Sequence, residues 1–241
     1  MAGERDLKEI RVALIGKTGC GKSALGNTLV GFRCFKSIPA GESVTTECKE
    51  GRGTLSSGQK VRVVDTPGIL DTMKRDVRLE VTKSIGFLSP GPHAFIIVLS
   101  PNRATEEERR VIAELNALFG DKKFLDHTII VMVRKNEIRD ENGDEMDIHK
   151  FIDKQAADDV KTLYQECGRR IVAVENLASV REKQTYAKEV VDKISTLDGY
   201  YSHEYFKLLE ERRLKIDQIA ELEKALEEKA NELNRSFCSI L

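Results

Sequence analysis

Tryptophan is absent from these 241 residues, and aromatic side chains make up only 6% of them. A platform that stacks nucleic-acid bases needs such rings. Charge of one sign is missing as well: 39 Lys and Arg stand against 40 Asp and Glu, for a formal net charge of -1. The basic excess that binds a phosphate backbone is therefore not there, and no nucleic-acid partner is expected. Apolar runs are short, with stretches such as 95–99 five residues long, against the roughly 20 that a bilayer-spanning helix requires. The five cysteines (Cys20, Cys34, Cys48, Cys167 and Cys238) are odd in number and lack C-x-x-C spacing. That argues against a disulfide framework and for reduced thiols in a cytoplasmic protein. Met1 leads into polar residues (Gly3, Glu4, Arg5, Asp6) rather than an apolar signal segment.

What is present is alternation. Short apolar, β-branched runs at 10–15, 60–65, 93–99, 127–133 and 170–174 are separated by stretches of helical periodicity. Strands of this kind, buried on both faces and alternating with helices, predict a three-layer α/β domain with a mostly parallel sheet. Residues 44–55 and 60–65 flank the turn Ser56-Ser57-Gly58 and read as a hairpin that adds one antiparallel strand. Helices are expected from Lys22, from about 74 to 88, from Thr105 to Gly120, from the loop after Gly143 up to Cys167, and over 185–197. The organisation that follows is a polar segment 1–9, an α/β domain 10–198, an amphipathic helix 199–237 and a four-residue tail 238–241. In that helix Leu209, Ile216, Ile219, Leu222, Leu226 and Leu233 recur at spacings of three, four or seven among dense charges. Packing back on the domain and self-association as a coiled coil both fit the pattern.

The chemistry sits at the first strand–helix junction. Gly16-Lys17-Thr18-Gly19-Cys20-Gly21-Lys22-Ser23, followed by Ala24, is a complete G-x-x-x-x-G-K-[ST] between a strand and a helix. Its glycines let consecutive backbone N–H groups turn inward around phosphate, and the helix N-terminus completes the nest. Lys22 is placed to bridge the β- and γ-phosphates, and Ser23 to offer its hydroxyl to Mg²⁺. About forty residues on, Asp65-Thr66-Pro67-Gly68 ends a Val-rich strand. Asp65 there holds Mg²⁺ through water and the Gly68 N–H senses the γ-phosphate. Between the two lies Thr45, in the polar stretch where a switch threonine reaches Mg²⁺.

These residues resemble the GIMAP family of immunity-associated GTPases, related to plant avirulence-induced proteins, septins and chloroplast-import GTPases. The resemblance covers about residues 8–198. It rests on the loop with its continuation Ser23-Ala24-Leu25-Gly26-Asn27-Thr28, on Ser43-Val44-Thr45, on Asp65-Thr66-Pro67-Gly68, on Arg103-Ala104-Thr105-Glu106-Glu107, and on His127-Thr128-Ile129 leading to Arg134-Lys135. It implies binding of GTP and GDP with Mg²⁺, a homodimer or higher oligomer through the nucleotide face, and frequent membrane association. It also implies that Thr45 is the switch threonine and that Asn176 contacts guanine.

The sequence departs from the pattern at the base-recognition motif. Where the family commonly carries Thr-Arg-Lys-Asp, this chain has Val133-Arg134-Lys135-Asn136. An Asn amide accepts one hydrogen bond from guanine but sets a donor where the second acceptor belongs, a mismatch worth about 1–3 kcal/mol. A one-residue shift would use Lys135 and give Glu137 the carboxylate role, but the strand beginning at His127 favours the unshifted register. Ile69 follows Gly68 where Ras-type proteins carry the water-orienting Gln. Slow intrinsic hydrolysis is expected, with Arg103 as an arginine finger reaching a dimer partner's phosphates. Two functional readings follow, a GTP-dependent dimerising switch and a nucleotide-shaped scaffold with negligible turnover. The last four residues, Cys238-Ser239-Ile240-Leu241, match C-a-a-X with Leu last, which points to geranylgeranylation of Cys238 and attachment to a cytosolic membrane face.

Overall fold

The computed structural model describes residues 9–37, 49–66, 86–101, 117 and 122–238. Six strands form one sheet: β1 (Ile10–Ile15), β2 (Lys49–Thr54), β3 (Lys60–Asp65), β4 (Ala94–Leu99), β5 (Thr128–Val133) and β6 (Ile171–Val174). Their spatial order is β2-β3-β1-β4-β5-β6. Only β2 runs antiparallel; every other pairing is parallel. The mostly parallel sheet with one antiparallel edge strand is the architecture the sequence pattern predicts.

Period two along each strand assigns every side chain to a face. Val12, Leu14, Ile96, Val98, Ile129 and Val131 turn to one side, where they meet α1 (Lys22–Val30) and α4 (Val180–Ser195) through Leu25, Leu29, Val190 and Ile194. Ala13, Ile15, Phe95, Ile97, Ile130 and Met132 turn to the other. They pack there with Phe151 and Ile152 of α2 (Ile148–Gln155), Val160, Leu163 and Tyr164 of α3 (Asp158–Glu166), and Phe206 near the start of α5 (Glu204–Cys238). Both faces are dry, which is why the central strands carry no polar alternation.

At the β2 edge two glycines permit close approach. A Cβ on Gly53 would lie 2.1 Å from the Val30 carbonyl oxygen, and one on Gly51 would lie 2.6 Å from the Phe35 ring. The chain therefore tucks β2 under the end of α1. Gly31, at φ 85°, ends that helix in the left-handed conformation.

Several boundaries differ from the periodicity. The helix expected over 185–197 begins at Val180, because Ser179 and Glu182 form a reciprocal capping box. The helical stretch before Cys167 is two helices, parted where Ala156 and Ala157 take extended backbone. A 3-10 turn, Lys123–His127, precedes β5, so that strand starts at Thr128 rather than at His127. The antiparallel strand expected over 44–55 is described from Lys49. Expected helices over 74–88 and 105–120 lie largely outside the described residues.

Candidate functional site

In an open α/β sheet a ligand binds outside the carboxyl ends of the strands, where neighbouring strands send their connections to opposite sides. Here that point lies between β1 and β4: β1 leads on toward β3, and β4 leads on toward β5. The loop leaving β1 is Gly16 to Gly21, and its backbone explains its residues. A Cβ on Gly16 would lie 2.8 Å from the Val98 carbonyl oxygen and 2.9 Å from Cys20 Sγ. Gly21 caps α1 at φ 99°, with room for a side chain closed off by Asn176 and Val133. The Cys20 N–H donates to the Lys17 carbonyl at 3.4 Å, closing the turn. Burial pushes the Cys20 thiol up, despite nearby Lys22, so it acts as a packed, protonated filler.

Lys22 is buried beneath this loop. Its ammonium donates to the carbonyl oxygens of Gly16 at 3.0 Å and Lys17 at 2.8 Å. These bonds use two of three ammonium protons and hold the loop around a fixed positive charge. The Thr18 hydroxyl is buried without a partner. Lys17 is also buried, while Ser23 and Ala24 sit half-buried in the first turn of α1. No acidic residue stands in that first turn, so the positive end of the helix is uncompensated by its own side chains.

The parallel register between β1 and β3 sets Leu14 beside Asp65. Thr66 fixes this exit, its hydroxyl donating to the Leu14 carbonyl at 2.7 Å. Asp65 is thereby held against α1, where Ser23 Oγ donates to Oδ2 at 2.5 Å. Its other oxygen, Oδ1, is buried and has no hydrogen-bond partner. Burial raises the Asp65 pKa, against the opposing pulls of the Ser23 bond and of Lys22. A buried carboxylate oxygen left open next to a hydroxyl is a donor set for a hard divalent cation such as Mg²⁺, and the residues fit that ion.

The loops after β5 and β6 flank the far end of the phosphate loop. Arg134 takes the left-handed conformation at φ 60°, and a 3-10 turn, Lys135–Glu137, follows. Glu137 turns toward Arg134, 3.4 Å away. The Asn136 N–H donates to Glu175 Oε2 at 3.3 Å, and Glu175 Oε1 accepts from the Leu177 N–H at 3.0 Å. Next along the chain, Asn176 Nδ2 donates to the Gly21 carbonyl at 3.4 Å, while its Oδ1 is buried without a partner. Asn136, Asn176 and Gly21 are thus linked at one end of the phosphate loop. Glu175, the buried acid that joins these two loops, has no motif to mark it; its one signal is a carboxylate at the end of an apolar strand.

Thr45, Gly68 and Arg103 lie outside the described residues. Cys238 is the last residue of α5, and 239–241 lie beyond the described residues. A separate cleft of about 730 Å³ runs beside β6, lined by Ile138, Met146, Ile171, Ala173, Glu189 and Lys193. It meets the loop after β5 at Lys135, Ile138 and the stretch from Glu145 to Asp147.

The family model described as "AIG1 family" matches residues 10–224. Immune-associated nucleotide-binding protein 9 of Arabidopsis thaliana is 31% identical over 223 residues, covering 88% of this chain and 64% of its own length. GTPase IMAP family member 8 of Homo sapiens is 30% identical over 198 residues, 80% of this chain and 29% of its own. The chain spans less than two thirds of either relative. Among solved structures, a dimerization-deficient mutant of Toc33 from Arabidopsis thaliana superposes with a TM-score of 0.60 at 20% identity, covering 79% of this chain and 84% of that one. Toc33 in complex with Mg²⁺ and GMPPNP gives 0.58 at 20% identity, covering 79% and 86%. At that identity the likeness shows a shared fold.

Proposed function

The chain belongs to the AIG1 family, and from that premise we propose that it is a guanine-nucleotide switch that binds GTP or GDP with Mg²⁺, dimerises in the GTP state and hydrolyses GTP slowly to GDP and phosphate. The observation that carries this reading is the coupling of a clamped phosphate loop to an open acid. Lys22 is pinned under the loop by two carbonyls, and Asp65 Oδ1 stands unpartnered beside the Ser23 hydroxyl. Loop N–H groups over 16–23 and the α1 N-terminus donate to the β-phosphate oxygens, and Lys22 compensates the β- and γ-oxygens. Ser23, Asp65 and Thr45 are the residues that would hold Mg²⁺, which when bound neutralises charge on the terminal phosphates. Gly68 is assigned to the γ-phosphate.

For the base we assign the unshifted register. Asn136 is the residue tied through Glu175 to the Asn176 loop, whereas Glu137 is engaged with Arg134. Asn176 Oδ1 offers an open acceptor next to Gly21. Ile69 cannot orient a water, so turnover depends on a group supplied in trans. Arg103 is that group in the proposed dimer, and a finger of this kind is worth roughly 10³–10⁵ in rate. A geranylgeranyl group on Cys238 would tether the protein to a cytosolic membrane face.

Calorimetric titration with GTP, GDP, XTP and ATP, with and without Mg²⁺, tests the binding. Guanine and xanthine nucleotides should bind more tightly than ATP, and Lys22→Ala should bind none detectably. Equal binding by Lys22→Ala, or none by the parent protein, sinks the assignment. Hydrolysis measured against protein concentration then separates a switch from a scaffold: a superlinear rise marks activation in trans, whereas a flat rate near zero marks a scaffold.

A further inference from the structure

The carboxyl-terminal helix α5 extends over 35 residues, and among its residues with described side chains the buried one is Phe206, near its start. Beyond that the apolar residues Leu214, Ile216, Ile219, Leu222 and Leu226 are each at least half exposed, and 221–230 is exposed throughout. A helix that leaves large apolar side chains in water carries an interface. Counted in heptads, positions 209, 216, 223, 230 and 237 alternate with 212, 219, 226 and 233 along one seam. The seam residues are Leu209, Arg212, Ile216, Ile219, Glu223, Leu226, Ala230, Leu233 and Phe237, with Leu222 flanking it. Two charges of opposite sign, Arg212 and Glu223, interrupt an otherwise apolar row.

These two charges decide the partner and its direction. In a parallel, in-register pair Arg212 meets Arg212 and Glu223 meets Glu223, and like charges at a seam repel. In an antiparallel pair centred between 217 and 218, Arg212 of each chain faces Glu223 of the other, twice by symmetry. The same register sets Ile216 against Ile219 and Leu209 against Leu226, so every apolar seam position over this stretch also finds an apolar partner. Sliding by one heptad sets Arg212 opposite Ile216 and leaves both charges unpaired, so the arrangement selects one register.

We propose that α5 is an interface for a second copy of this chain, an antiparallel coiled coil in the register that pairs Arg212 with Glu223. It is symmetric, buries the same surface on both copies and closes as a dimer. It does not use the nucleotide site, so the chain has a nucleotide-independent contact besides any made across the phosphates. The two Cys238 ends then point in opposite directions, about 60 Å apart at 1.5 Å of rise per residue.

The test is sedimentation of the full chain, carrying Cys238→Ser, with EDTA and without nucleotide. The parent should dimerise. Arg212→Glu and Glu223→Arg should each weaken the dimer about tenfold or more, and the double variant should recover it. A Leu226→Cys variant under mild oxidation should give no cross-linked dimer alone but should cross-link when mixed with Leu209→Cys. A monomeric parent, absence of rescue by the double variant, or efficient self-cross-linking of Leu226→Cys overturns the proposal. Because nucleotide is absent throughout, these outcomes are independent of whether the phosphate loop binds GTP.

Discussion

His93 predicts a loss of stability in mild acid. The residue stands just before β4, buried, and its backbone N–H donates to the Arg11 carbonyl at 2.8 Å. In return the Arg11 N–H donates to His93 Nδ1 at 2.9 Å. That bond requires Nδ1 to be an acceptor, so the ring must be unprotonated there. Burial lowers the His93 pKa to about 4, reinforced by the Arg11 guanidinium and by His127. The Arg11 side chain is locked close by, donating to the Gly91 carbonyl at 2.6 Å and lying 5.1 Å from the Tyr200 ring centre. The folded pKa is thus below the unfolded value of about 6.5, so the unfolded chain takes up the proton first. Stability from this group is complete above the unfolded value and falls as pH drops toward the folded one. Between about pH 7.5 and 5.0 the linkage amounts to about 2 kcal/mol, or 1–2 kcal/mol after solvent screening at the ring's edge. For a chain of this size that is a melting-temperature decrease of roughly 2–8 °C. His93→Asn keeps an acceptor for the Arg11 N–H without a titrating ring. Urea unfolding of parent and variant at both pH values should show a smaller acid loss in the variant, by about 1–2 kcal/mol. His127 titrates in both proteins and cancels. Identical pH dependence in the two would refute the reasoning.

Other perturbations probe the site and its frame. Asp65→Asn removes a buried, half-satisfied carboxylate, so the metal-free protein should gain about 1 kcal/mol in chemical denaturation. The added melting temperature that Mg²⁺ gives the GDP-bound parent should vanish in the same variant. Asn136→Asp restores two acceptors on one side chain; relative affinity for GDP over XDP should rise by roughly tenfold or more, read by competitive titration. Gly53→Ala drives a methyl group into the Val30 carbonyl and should cost about 1–3 kcal/mol, or more if β2 detaches, measured by thermal unfolding.

The parts of the fold that were legible in the sequence are those with a short-range physical signature. Buried parallel strands read as apolar runs, and the glycine loop read as a loop because a strand and a helix flank it. Even so, α4 began five residues earlier than its apolar spacing indicated. Ser179-Val180-Arg181-Glu182 is a capping box in plain view, but its first turn is exposed and carries no periodicity. The break at Ala156 and Ala157 was hidden because alanine favours helix and only tertiary packing overrides it. In the site, Lys22, Ser23 and Asp65 were readable from motifs. Glu175 was not, and the roles of Thr66 and Asn27 were not although both stand inside quoted motifs, because each acts through partners distant in sequence or through backbone groups. Asn27 accepts from the Cys34 and Phe35 N–H groups and donates to the Phe35 carbonyl. It thereby fastens the chain leaving α1, a task that a motif match at Asn27 does not reveal.

On the proposed function, a division between phosphate and base halves explains how a substituted recognition motif is compatible with nucleotide binding. The phosphate half depends on backbone amides, a helix terminus and the clamped Lys22, features set by β1, Gly16, Gly21 and the Leu14–Asp65 register. Changing a side chain at the base edge leaves that cradle intact. The base half depends on a few side chains, and losing one acceptor there costs about 1–3 kcal/mol, much less than a triphosphate gains from charge-assisted bonds to several donors at once. On the proposed base assignment, Asn136 should therefore alter selectivity among bases rather than occupancy. The linking groups, Glu175 to the Asn136 N–H and Asn176 to the Gly21 carbonyl, keep the two halves in contact whichever purine is bound. Removing Glu175 should consequently weaken both guanine and xanthine nucleotides together, whereas changing Asn136 should separate them.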